Sequence, residues 1–156
     1  MNVDDRSSLE LIRGFARIEF ALKTFPEFVN GQPGDLPETQ WTAYYPIARG
    51  TVAEGISGPS RDVLLGTHQN DPPPKRMVVA ANGTVDFEEA PLQGPIGDRL
   101  MDAARRVRNN LVHGGKEHAL QQRYEGHDQN LVNAALEVIN IAAAADQRVA
   151  KIFFSH

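Results

Sequence analysis

The stretch RRVRNNLVHGGK, residues 105–116, gathers the residue types that can move a proton beside an anion. Arginine presents a planar fork of donors that matches phosphate oxygens. Histidine titrates near neutrality and serves as general acid or base. Asparagine can orient either of them. Arg108, Asn109 and His113 bring all three types into adjacent helical turns. At about 100° per residue, Asn109 and His113 share a face, and Arg108 lies on its flank. Arg105 falls on the Asn109 side, and Lys116 can reach back if the chain turns sharply at Gly114 and Gly115. Arg108, Asn109 and His113 are therefore candidates for the chemistry, and Arg105 and Lys116 for holding an anionic substrate. A structural reading stands beside this one. In it Arg108 pairs with an acid on the first helix, Glu19 being the candidate, and His113 caps its own helix. The two readings are compatible. Arg105 and Arg106 otherwise read as surface residues that attract a polyanion from a distance.

The elements that must position these groups read as helices. Leu11, Phe15, Ile18, Leu22 and Phe25 recur at steps of four and three, which predicts a first helix. Ser7 with Glu10 has the pattern of a capping box, and Pro26 marks the end. A second helix is expected from Asp35, with an apolar stripe of Trp41, Tyr44, Tyr45, Ala48, Val52 and Ile56. Pro46 and Gly50 inside it predict a kink or break. Residues 57–94 turn rich in glycine and proline and read as an insertion. Within it MVVAANGTVDFE (77–88) predicts a hairpin around a two-residue Asn82-Gly83 turn. A third helix follows Pro95, with the seam Leu100, Ala104, Val107 and Leu111 and a stop at the two glycines. Asp128 is expected to cap a last helix that carries Leu131, Ala135, Val138, Ala142, Ala145, Val149 and Ile152. That helix is almost wholly apolar over 138–145, which places it centrally or at a subunit contact. Proline and glycine make 57–94 the expected mobile flap beside the arginine–histidine cleft.

Bulk composition removes several alternatives. A chain of 156 residues favours one domain, 1–156, with a real core. A net charge of -4 argues against a protein coated in positive charge. The absence of cysteine excludes disulfides, thiolate metal sites and a cysteine nucleophile. MNVDDRSS lacks the apolar core of a signal peptide, and VINIAAAA (138–145) is too short to span a bilayer. A cytoplasmic, membrane-free protein is the expectation. His113, His118 and His127 are widely spaced and have no supporting carboxylate pattern, so no metal site is expected. Gly114-Gly115-Lys116 lacks the upstream glycine and following hydroxyl of a phosphate loop. Trp41, Tyr44 and Tyr45 lie on a helical stripe and read as core more readily than as a base-stacking platform. No cofactor is expected.

Arg108-Asn-Asn-Leu-Val-His113, near a helix end and followed by another apolar helix, resembles the HEPN superfamily. That family's signature is an arginine, four to six residues and a histidine, often with asparagine after the arginine. The resemblance covers roughly 7–56 and 95–153 and leaves out the insertion. It implies an all-α, four-to-five-helix bundle, here with a small β-hairpin insertion of about 57–94 between helices two and three. It also implies a metal-independent endoribonuclease built as a homodimer, with two motifs facing each other in one composite site. In that picture His113 assists attack by the RNA 2′-hydroxyl, Arg108 holds the scissile phosphate and Asn109 fixes the geometry. Family members act as toxins of toxin–antitoxin systems or in antiviral defence, sometimes beside an antitoxin or nucleotidyltransferase partner. The alternative is a noncatalytic HEPN-like bundle that binds a nucleotide or a partner protein.

Overall fold

A computed structural model of the chain describes residues 3–67, 72–113 and 126–155. Helix α1 spans Asp5–Lys23. Its cap is Asp4, whose carboxylate accepts from the Ser7 amide at 2.7 Å, so the helix starts before the expected Ser7 cap. Asp4 and Ser7 stand three residues apart, the same spacing as Ser7 and Glu10, and an aspartate caps as well as a serine. Leu11, Phe15, Ile18 and Leu22 are buried as their spacing predicts. The helix ends at Lys23, and Pro26 opens a short 3-10 turn, Pro26–Phe28.

Asp35 does not start the second helix. Its carboxylate accepts from the Gln32 amide at 2.9 Å inside a turn, and the short strands β1 (Val29–Asn30) and β2 (Glu38–Thr39) pair antiparallel around it. Helix α2 runs Trp41–Gly55 without interruption. Pro46 lies within the helix and Gly50 does not break it. The aromatic stripe faces inward: Phe15, Phe28, Trp41, Tyr44 and Tyr45 meet edge-on or tilted, with centroids 5.3–6.4 Å apart, and Tyr44 donates to the Ala142 carbonyl at 2.6 Å. These rings are core.

The region 57–94 holds more than a hairpin. Ser57 accepts from the Ser60 amide and starts helix α3, Gly58–Leu65, which buries Val63 and Leu64. Eight residues with one apolar run, Val63 to Leu65, carry too little periodicity to announce a helix. Strands β3 (Arg76–Val79) and β4 (Val85–Glu88) pair antiparallel, with Met77 opposite Phe87 and Val79 opposite Val85. Their turn is one residue longer than expected. Ala80 donates to Thr84 O and Gly83 donates to Ala80 O, which leaves Ala81, Asn82 and Gly83 as the loop. Gly83 takes φ +83°, the left-handed conformation that closes a three-residue loop.

Helix α4 is Ile96–His113, and Leu100, Ala104 and Val107 of its seam are fully buried. Gly97 lets it approach α2: a Cβ there would lie 2.8 Å from Arg49 C and Cα, and closer still to Arg49 O. The expected last helix is two. Helix α5 spans His127–Ala144 and α6 spans Gln147–Phe153, with Asp146 between them accepting from the amides of Arg148 and Val149. Asp128 is not the cap. It is buried in the first turn of α5, and Gly126 holds the cap position at φ +82°. Val138, Ile139, Ala142 and Ala143 are fully buried, and α5 packs against α1, α2, α3 and α4. The apolar run thus fills the bundle centre. The described residues form a mostly helical bundle with two small antiparallel strand pairs. Among the described residues no helix is long and apolar enough to cross a membrane.

Candidate functional site

The arginine–histidine motif sits on the second half of α4, where it passes α1 and the start of α2. The buried seam fixes its rotation, so Arg108 turns toward α1 and His113 stands exposed at the last described position of the helix. Arg108 donates from Nη1 to Glu19 Oε1 at 2.7 Å and from Nε to Asn109 Oδ1 at 2.8 Å. Its guanidinium also lies over the Phe15 ring, 4.5 Å from the centroid. Glu19 accepts in turn from Trp41 Nε1 at 3.0 Å. Burial by itself would push the Glu19 carboxyl up. The hydrogen bonds from Arg108 and Trp41 outweigh it and hold the group below the usual carboxylate range. The expected Arg108–Glu19 pair is thus present, and Asn109 holds the arginine from the other side.

Arg105 is tied down as well. It donates to the Tyr45 hydroxyl at 2.9 Å and its guanidinium lies 5.5 Å from the Trp41 ring centre. Burial raises the Tyr45 phenol above its ordinary range, so Arg105 meets a neutral hydroxyl. Arg106 overturns the surface reading given to it. Only 8% of it is exposed. It donates from Nη1 to Pro74 O at 3.1 Å and to Ala90 O at 2.6 Å, and from Nη2 to Pro91 O at 3.4 Å. Asn110, fully buried, donates to Lys75 O at 3.0 Å. Two α4 residues therefore fasten both legs of the hairpin to the helix. Lys116, Gly114, Gly115 and His118 lie outside the described residues.

One surface borders the motif. On α1, Leu9, Ile12 and Phe20 are 47%, 39% and 68% exposed, and with Ala16 they recur at steps of three and four. That stripe borders Glu19 on the side away from the core. Val112 on α4 is also exposed. Toward the start of α4, lined by none of Arg108, Asn109 and His113, is a cleft of about 450 Å³ between the hairpin base and α4. No group of three or more histidine, aspartate or glutamate side chains among the described residues could hold a metal ion.

The fold and site together define a helical bundle whose fourth helix carries a fastened arginine, an asparagine and an exposed histidine at one edge. No family model, no curated protein and no solved structure matches the chain.

Proposed function

We propose that the chain is a HEPN-like, metal-independent endoribonuclease whose composite site forms between two copies. The observation that carries this reading is the placement of His113: exposed at the end of α4, one turn beyond Asn109 on the same face, on a helix whose Arg108 is already oriented by Glu19 and Asn109. An arginine held in place needs no reorganisation when negative charge develops on a phosphate. His113 takes the proton from the 2′-hydroxyl or gives one to the leaving oxygen, and the mate in the second copy does the other. RNA supplies its own nucleophile, so few protein groups suffice. The exposed stripe Leu9, Ile12, Ala16 and Phe20 gives the second copy an apolar surface next to the motif. Ala134, Ala135, Ala142 and Ala143 of α5, buried inside the bundle, do not offer one. A toxin or antiviral-defence setting, with an antitoxin or nucleotidyltransferase partner, belongs to the same proposal.

The binding-module reading rests on a different observation. Nε and Nη1 of Arg108 are both engaged and its face is stacked on Phe15, an arrangement sufficient for a structural residue. RNA incubated with purified protein in EDTA separates the two. A nuclease leaves 2′,3′-cyclic phosphate ends, and His113→Ala lowers the rate by about a hundred- to ten-thousandfold with the dimer intact by light scattering. Cleavage that requires metal, or is unchanged in His113→Ala, leaves the binding module in front.

A further inference from the structure

The hairpin is fastened to α4 in a way that leaves a polar cleft beneath it. The cleft holds about 450 Å³, within the usual range for a small-molecule pocket, and Tyr45, Arg76, Pro91, Gln93, Asp102 and Arg106 line it. Its walls are set by buried contacts. Arg106 grips Pro74, Ala90 and Pro91 through their carbonyls, and Asn110 grips Lys75. Asp98 also lines the cleft, but both its oxygens are engaged by Arg49, at 2.8 and 3.0 Å, and its side chain is 17% exposed.

Asp102 is the acceptor still available. Its side chain is 40% exposed, and its ion-pair contact among the described residues is Arg106 Nη2 at 3.5 Å, at the long end for such a pair. A carboxylate accepts at about four lone-pair positions and donates at none. Donors line the same cleft: the Gln93 amide and the guanidinium of Arg76, which pairs with Glu88 through one of its nitrogens. The exposed Pro91 ring gives an apolar face. A ligand that fits must present adjacent donors to Asp102 and acceptors to the arginine and amide.

We propose that this cleft binds a guanine base, with Asp102 accepting from its N1–H and 2-amino group. Guanine alone among the four RNA bases sets two adjacent donors on one edge and the O6 and N7 acceptors on another. Adenine turns a bare ring nitrogen toward the carboxylate. Cytosine pairs one donor with one acceptor there, and uracil flanks a single donor with two carbonyls. The base can come from a free guanine nucleotide or from an unpaired guanosine of an RNA. The proposal meets the nuclease reading at one point. Asp102, Asn109 and His113 are spaced seven and four residues apart, which puts them within about 40° of one another on α4. Asp102 lies about 16 Å along the helix from His113, so a strand held at Asp102 can run toward the motif. In that form the inference rests on the nuclease reading; as a nucleoside site it does not.

The test is calorimetric titration of the whole protein with guanosine 5′-monophosphate, the adenosine, cytidine and uridine monophosphates, and short unpaired RNAs with or without one guanosine. The guanine nucleotide is expected to bind roughly ten- to a hundredfold more tightly than the others. Asp102→Asn, which turns an acceptor toward one guanine donor and a donor toward the other, should remove that preference. Gln93→Ala, at an exposed position with no hydrogen bond among the described residues, should weaken guanine binding without touching the Arg106 clasp, and the melting temperatures show whether both variants fold. Equal binding of all four nucleotides, or guanine preference unchanged in both variants, overturns the proposal. Guanine-selective binding that survives His113→Ala in a protein that cleaves no RNA upholds the pocket and removes the nuclease. RNA cleavage with no guanine-selective binding does the reverse.

Discussion

Removing the Arg108 side chain separates a structural arginine from one that also meets phosphate. Exposed ion pairs contribute about 0–1 kcal/mol, whereas breaking a fully buried one costs about 3–5 kcal/mol. The Arg108 and Glu19 side chains are 19% and 22% exposed, with 2.7 Å between charged atoms. That intermediate burial puts the loss near 1.5–3 kcal/mol. The guanidinium over Phe15 adds about 0.5–1 kcal/mol. For a chain of this length each kcal/mol moves the melting temperature by about 2–4 °C, so Arg108→Ala should melt roughly 4–16 °C lower. Glu19→Gln should cost about 1 kcal/mol, because its amide still accepts from Trp41 while the charge is lost. Circular-dichroism melts of both single variants and the double variant give the coupling, expected at about 1–2 kcal/mol. A melting temperature within a degree of the parent for Arg108→Ala, or additive losses, would refute the reasoning. Cleavage assays below the lowest melting temperature carry the second half. If Arg108 steadies phosphate, Arg108→Ala loses activity in the folded protein, and Glu19→Gln, which keeps the guanidinium but removes one of its two anchors, loses only part of it. If Arg108 is structural alone, activity follows the folded fraction in both.

Three further outcomes are expected. Gly97→Ala should destabilise by about 2–4 kcal/mol, seen as a drop in denaturant midpoint, since its Cβ would meet the Arg49 backbone; an unchanged midpoint would mean that α2 and α4 can separate freely. Arg106→Met should release the hairpin and speed amide exchange at Val78 and Asp86, the hydrogen-bonded pair of the β3–β4 ladder, while α5 stays protected, and protection unchanged at both strands would count against the clasp. For Glu19, Glu137 and Asp146, burial pushes the carboxyls up, but hydrogen bonds from Arg108, Ser60 and Arg148 respectively prevail and hold them below their ordinary values. A depressed carboxyl stabilises the fold above its unfolded pKa and loses that contribution as pH falls through the folded one. The melting temperature should therefore be flat from neutrality down to the ordinary carboxylate range and fall below it, more weakly in Arg108→Ala; a melting temperature that rises on acidification contradicts the assignment.

Much of the bundle was legible because its signals are periodic. The α1 and α4 seams and the inward aromatic stripe of α2 follow from spacing alone. What misled were local signals outweighed by packing. Pro46 and Gly50 weaken α2 as an isolated helix, but Tyr44, Tyr45, Ala48 and Val52 bury enough apolar surface around them to keep it whole. The break before α6 failed to show because the apolar rhythm continues through it. Val149 is as buried as Ala142, and Asp146 between them reads as one polar residue until its carboxylate is seen capping Arg148 and Val149.

The site divides along the same line. Arg108 and Glu19 could be paired from sequence, since both sit on helix flanks whose rotation the seams fix. Arg106 and Asn110 could not, because their partners are the carbonyls of Pro74, Lys75, Ala90 and Pro91, and backbone acceptors leave no trace in residue type. One signal was present. Arg106 and Asn110 are four apart on α4, next to a proline-rich insertion whose backbone has few amide donors to pair its carbonyls. A segment with surplus acceptors must find donors, and a buried guanidinium offers five in one plane. Burial pushes the Arg106 guanidinium below its ordinary value, against the nearby charge of Asp102, so the charge is kept inside at a cost that the clasped carbonyls offset. Composition of the insertion thus foretells that its carbonyls need side-chain donors, while geometry alone tells that Arg106 and Asn110 supply them.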